Sequence, residues 1–183
     1  MFSSFHEKIL IQEIRKGNKS AFSFFYDKYV DSVYRFIFIR VGVEDVARDL
    51  TSECFLKIFE FLKKEEVENF RAFIFKIARR KIIDFYRERS KKHTDSLDDV
   101  PEGELKNDDD LPLNYDLKKL KEAVSQLKEE YQEPVLLHYF EGFSWKEIAD
   151  ILDVSPSTLR QRAHRGIKLL KKNLKLDSNK DNK

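Results

Sequence analysis

One cysteine, one tryptophan, one methionine, four prolines and five glycines are all that 183 residues hold of those types. Each scarcity excludes something. A lone Cys54 cannot build a disulfide framework or a thiolate metal site within one chain, so it reads as a small core residue and the expected compartment is a reducing cytoplasm. Few glycines and prolines beside heavy Lys, Glu, Leu, Ile and Phe usage point to helix throughout, an all-α protein of one ordinary domain or two small ones. No apolar run is long enough to cross a bilayer, and Met1-Phe2-Ser3-Ser4 lacks the basic start of a secretory signal, with His6, Glu7 and Lys8 interrupting the next apolar residues. A glycine-rich phosphate loop, an HExxH pair and a Cys/His cluster are all missing, and His6, His93, His138 and His164 are dispersed. No enzyme, cofactor or metal site is expected.

Charge is present in quantity and is segregated. Lys and Arg against Asp and Glu give +6 over residues 1–92, −7 over 93–114 and +3 over 115–183. The acidic stretch is rich in Asp, Glu, Gly, Pro and Ser and cannot bury enough apolar surface to fold alone, so it reads as a flexible linker. The expected organisation is a helical domain over 5–92, the acidic linker over 93–114, a second helical domain over 115–176 and a disordered tail over 177–183.

Residues 142–174, GFSWKEIADILDVSPSTLRQRAHRGIKLLKKNL, carry the clearest chemistry. Ser144 followed by Glu147 is a capping box before the apolar set Ile148, Ala149 and Leu152, so a helix should start at Trp145 and break at Asp153-Val154. Ser155 then caps a second helix with Pro156 at its first position, where the missing N–H costs nothing. On that helix Leu159, Ala163, Gly166, Leu170 and Leu174 share one face, while Ser157, Arg160, Gln161, His164, Arg165 and Lys168 occupy the other. Arg can bridge guanine, Gln can bridge adenine, and hydroxyls reach phosphate, so this face can both position and specify on a DNA duplex.

The first domain should hold helices over Phe5–Arg15, Ser20–Arg40 and Glu44–Leu62, the third with Ala47, Leu50, Cys54, Ile58 and Phe61 as its buried stripe. A charged loop comes next, then a long helix from Phe70 with Ile74, Ile77, Ala78, Ile82 and Phe85 on one side and Lys76, Arg80 and Arg87 opposite. Between Lys76 and Lys92 eight Lys/Arg stand against two acids, an electrostatic footprint for a polyanion. Some of the neighbouring aromatics, Phe70, Phe73, Phe75, Phe85 and Tyr86, can stack on unpaired bases. Two further helices, near Leu117–Gln126 and Glu130–Glu141, precede the helix-turn-helix.

The motifs AFSFFYDKYVDSVYRF, VARDLTSECFLKIFEFL, FRAFIFKIARRKIIDFYRER and LKEEYQEPVLLHYFEGFSWKEIADILDVSPSTLRQRAHRGIKLL, in this order, resemble the sigma-70 family. The likeness is to its compact extracytoplasmic-function (ECF) members, which keep regions two and four. The resemblance implies a non-catalytic initiation factor that binds core RNA polymerase and directs promoter recognition, melting and transcription initiation. It implies that Asp49, Leu50, Thr51, Ser52, Glu53 and Leu56 dock on the β′ coiled coil, and region four on the β flap. Asn69, Phe70, Phe73, Lys76, Arg79, Arg80 and Arg87 would hold the single-stranded −10 element, with the loop 63–69 and Phe70 as a pocket wall. Ser157, Thr158, Arg160, Gln161, His164, Arg165 and Lys168 would meet the −35 duplex. The linker would thread near the RNA exit path, and an anti-sigma factor is an implied partner, with no direct membrane insertion by this chain.

Three positions depart from the family pattern: Ser52 where Gln is usual, Phe73 where Trp is usual, and Arg80 where Asn is usual. The last changes chemistry, since a long cation favours phosphate over a base edge. The competing reading of the same residues is a polymerase-independent helix-turn-helix regulator whose first domain dimerises or senses.

Overall fold

The computed structural model describes the backbone of residues 4–95 and 112–178 and the side chains of 7–91 and 116–172. Two compact units divide the chain, Met1–Asp109 and Asp110–Lys183, and no strand occurs among the described residues.

In the first unit, α1 (Ser4–Arg15) ends at Gly17, whose φ of +93° is the left-handed conformation glycine adopts at no steric cost. Asn18 then caps α2 (Lys19–Val41), its side-chain oxygen accepting from the Ser20 N–H at 3.1 Å, so the helix starts one residue before the Ser20 that the sequence suggested. Gly42 closes α2 at φ +77°, donating to the Phe38 carbonyl, and α3 spans Glu44–Leu62. The helix α4 runs Phe70–Asp95, three residues into the expected linker, because no Gly or Pro stands between Lys92 and Pro101 to stop it. α2, α3 and α4 pack on one another, and α1 lies on α2 and α3.

Aromatic rings fill this core. Phe25, Phe36, Phe70 and Phe75 are at most 1% exposed, with Phe25 against Phe70 at 4.0 Å and Phe36 against Phe75 at 5.4 Å between ring centres. Each buried ring is worth about 1.5–3 kcal/mol in desolvation, so these four fix how α2 and α4 meet. Along α3 the buried stripe continues from Ile58 to Leu62, not to Phe61; Phe61 is 37% exposed. Either residue fits helical spacing from Ile58, and only the position of α4 decides between them.

The second unit opens with α5 (Pro112–Ser125), which starts five residues before the expected Leu117 with proline in its first position. The linker residues 96–111 lie outside the described residues. So does the expected tail, apart from Asp177 and Ser178, which end α8 (Pro156–Ser178).

The helix expected over Glu130–Glu141 is two conformations in series. α6 (Glu129–Val135) contains Pro134, which cannot donate to the ladder, and the chain then widens into a π-helical turn, Leu136–Phe140. Glu141 N–H reaches the Leu136 carbonyl at 3.0 Å, and Gly142 at φ +69° ends the turn. Phe143 is thereby returned to the core while Tyr139 and Phe140 stay about half exposed.

α7 (Trp145–Leu152) and α8 complete the unit, and α6 is the main support of α8. Their core is mainly aliphatic: Leu127, Val135, Ala163 and Leu170 form one cluster with Tyr131. At Gly166 the backbones approach so closely that a Cβ would lie 2.8 Å from Val135 Cγ2 and 3.3 Å from Tyr131 Cβ.

Candidate nucleic-acid interface

The turn between α7 and α8 is built almost wholly by local hydrogen bonds. Ser144 accepts from the Glu147 N–H at 3.3 Å while the Glu147 carboxylate accepts from the Ser144 N–H at 2.9 Å, the reciprocal pair read from the sequence. Asp153 ends α7 at φ +55°, and its N–H donates to the Ala149 carbonyl. Two residues later Ser155 Oγ accepts from the Thr158 N–H at 3.3 Å and lies 3.0 and 2.9 Å from the Ser157 and Thr158 hydroxyls.

This start fixes the rotation of α8. Leu159, Ala163, Gly166 and Leu170 are buried; Leu174 lies outside the described side chains. Ser157, Arg160, Gln161, His164, Arg165 and Lys168 are exposed together, with Thr158 half-buried beside them. Arg160 Nε donates to the Pro156 carbonyl at 3.3 Å. Arg162, which the sequence pattern leaves off this face, pairs with Glu130 at 3.2 Å and ties α8 to α6. Behind the turn, His138 stacks on Trp145 with ring centres 3.8 Å apart and places Nδ1 2.8 Å from the Phe143 carbonyl, holding the π-helical turn to the start of α7.

On the first unit, Lys76, Arg80 and Arg87 are exposed along one side of α4, with Arg79 half-buried at its flank. Arg87 pairs with Asp84 one turn back, at 2.9 Å. Two of the expected single-strand contacts do other work. Phe70 is 1% exposed between Phe25 and Tyr29, so its ring belongs to the core and cannot wall a pocket. Asn69 is exposed but caps α4, its side-chain oxygen accepting from the Ala72 N–H at 3.0 Å. Phe73 is half-buried, and Phe61 lies against it at 4.7 Å, so the surface aromatic pair beside the 63–69 loop is Phe61 with Phe73. Tyr86 is 38% exposed, and its hydroxyl donates to the Arg40 carbonyl at 2.5 Å, joining α4 to the end of α2.

A separate acidic face lies on α3. Asp49, Ser52, Glu53 and Leu56 are exposed at i, i+3, i+4 and i+7, and Leu56 at 64% is the most exposed large apolar side chain among the described residues. Leu50 and Thr51 are 8% and 5% exposed; Thr51 Oγ1 donates to the Ala47 carbonyl at 2.7 Å inside the bundle. Both therefore support this face from beneath. Cys54 is fully buried, and burial pushes its thiol up to about 12. No group of three or more His, Cys, Asp or Glu able to hold a metal occurs among the described residues, and no described helix is long and apolar enough to cross a membrane.

Comparison with known proteins respects the same two-unit division. Residues 25–92 match the family described as sigma-70 region 2, and residues 117–170 that described as sigma-70, region 4. The ECF RNA polymerase sigma factor BldN of Streptomyces coelicolor is 30% identical over 166 residues, 88% of this chain and 63% of BldN, so the chain spans less than two thirds of that relative. The RNA polymerase sigma factor SigV of Bacillus subtilis is 30% identical over 139 residues, 75% of this chain and 81% of SigV. Among solved structures, CnrH in complex with the cytosolic domain of CnrY shares the fold at a TM-score of 0.73 and 20% identity, covering 94% of this chain and 99% of that one.

Proposed function

From the premise that the chain belongs to the sigma-70 family, in its ECF branch, we propose that it binds core RNA polymerase and directs promoter recognition, melting and transcription initiation. The observation that carries this reading is an exposed face of Arg160, Gln161, His164 and Arg165 on α8 and a basic, aromatic-flanked helix, α4, in one chain that also exposes Leu56 beside Asp49 and Glu53. α8 enters the major groove at the −35 element through Arg160, Gln161, His164 and Arg165, with Ser157, Thr158 and Lys168 on the backbone. Lys76, Arg79, Arg80 and Arg87 hold the phosphates of the opened −10 strand. Extruding a base costs a few kcal/mol, which Phe73 with Phe61 offsets by stacking, at about 1–3 kcal/mol per base.

Asp49, Ser52, Glu53 and Leu56 dock on the β′ coiled coil, with Leu50 and Thr51 holding that surface in shape, and the second unit meets the β flap. The factor contributes binding and strand separation and no bond chemistry of its own. It acts in the cytoplasm, where core polymerase and promoter DNA are found, and an anti-sigma factor is its expected restraint. The test is assembly: purified core polymerase should co-elute with the chain, and Leu56→Asp should abolish co-elution while leaving the fold intact. Tight, sequence-specific duplex binding by the chain alone, with no association with core polymerase, would instead make it a free-standing regulator.

A further inference from the structure

Arg15, the last residue of α1, reaches the segment between α3 and α4. Its guanidinium donates to the Glu66 carboxylate at 2.7 Å, 51 residues away in sequence, with side chains 39% and 71% exposed. The two ends of this contact are held differently. α1 lies on α2 and α3 with Ile11 and Ile14 only 4% and 1% exposed, so Arg15 is presented from a fixed place, and a cation in the last turn suits the helix dipole. Glu66 stands in the middle of the loop 63–69. At one end of that loop the Lys64 and Glu65 N–H groups donate to the Phe61 carbonyl at 3.0 and 2.9 Å; at the other, Asn69 caps α4. Arg15 takes hold between them. The loop leaves α3 just after Phe61 and joins α4 just before Phe73, the aromatic pair at its flank. α1 precedes residues 25–92, so this tether comes from outside the segment matched to region 2.

We propose that Arg15 is a positioning residue for base capture: by holding Glu66 it fixes the 63–69 loop beside Phe61 and Phe73, so that an unpaired base is received there in one place. This rests on the functional reading above, in which that pair stacks on an extruded base. Arg15 itself touches no nucleic acid. A loop that must be immobilised as a base arrives subtracts its ordering entropy from affinity, and a tether already made in the free protein lowers that cost. The tether acts on the base and not on the phosphates, because Lys76, Arg79, Arg80 and Arg87 stand on α4, whose place is set by the aromatic core. Since the pair is largely exposed, it falls in the range of surface ion pairs, and its loss should weaken base capture by about two- to fivefold.

The experiment compares two fluorescein-labelled strands on the full chain by anisotropy. One is an oligo-thymidylate; the other, of equal length, is built from abasic tetrahydrofuran units, which keep the phosphates and lack the bases. The parent chain should bind thymidylate more tightly than the abasic strand. Arg15→Ala should reduce that ratio by about two- to fivefold through the thymidylate arm alone, and should speed amide hydrogen exchange over residues 65–68. The reversed pair, Arg15→Glu with Glu66→Arg, should restore both readouts. Arg15→Ala with Glu66→Gln should stay impaired, since it removes the unpaired carboxylate without restoring the tether. Equal weakening of both strands by Arg15→Ala, repaired by Glu66→Gln, would make the pair a charge neutraliser and overturn the positioning role. A ratio unchanged by Arg15→Ala but lost in Phe73→Ala would overturn the tether and leave the stacking reading in place. A parent chain that binds the two strands alike, or binds neither, would overturn both.

Discussion

The two units reach their exposed basic faces by opposite routes. In the second, the rotation of α8 is set within a few residues by Ser155, Pro156 and the left-handed Asp153, and a mainly aliphatic core with a bare Gly166 accepts α8 at close range. In the first, local capping starts α4 after Asn69, but interlocked phenylalanines from α2, α3 and α4 decide which of its aromatics face outward. One face is written in turn chemistry and the other in packing. Substitutions should therefore separate the units, with Trp145, the sole tryptophan, reporting on the second.

The largest expected effect is in the packed unit. Phe70→Ala removes a ring that is 1% exposed and 4.0 Å from Phe25, and should destabilise the first unit by about 3–5 kcal/mol in urea unfolding followed by far-UV circular dichroism. The Trp145 fluorescence transition should stay in place. Gly166→Val places a Cβ only 2.8 Å from Val135 Cγ2, and should cost the second unit about 1–3 kcal/mol, moving the Trp145 transition alone. Ser144→Ala breaks the capping box that starts α7 and should cost about 1 kcal/mol by the same readout.

The smallest signal sharpens the comparison from the other side. Burial raises the Cys54 pKa to about 12, so the thiol stays protonated through neutral and mildly alkaline pH, and raising the pH to about 9 generates little thiolate. Labelling by a disulfide reagent should therefore track opening of the first unit: slow in the native chain, faster in Phe70→Ala and unchanged in Gly166→Val.

This contrast also explains what was legible before the structure. The start of α7, its break at Asp153-Val154, the start of α8 and its two faces could be read from Ser144, Glu147, Ser155 and Pro156, because a cap acts on neighbours three residues away. The basic face of α4 was legible from the spacing of Lys76, Arg80 and Arg87. The role of Phe70 was not, since its burial depends on Phe25 and Tyr29 in another helix. Phe61 and Leu62 both fit the period of α3, and only α4 places Leu62 inside. Lys81 looked like one more cation in a basic run; its Glu53 partner is visible only once α3 and α4 are packed. The π-helical turn after Pro134 also had no periodic signature, because Leu136 and Leu137 suit an α-helix equally well.

Run-off transcription from genomic fragments with bacterial core polymerase, reading start sites by sequencing, tests the central claim most directly. Discrete starts that depend on the chain, share two upstream elements and disappear when residues 115–183 are removed are the predicted result. Absence of any chain-dependent start, alongside specific duplex binding by the chain alone, would contradict it.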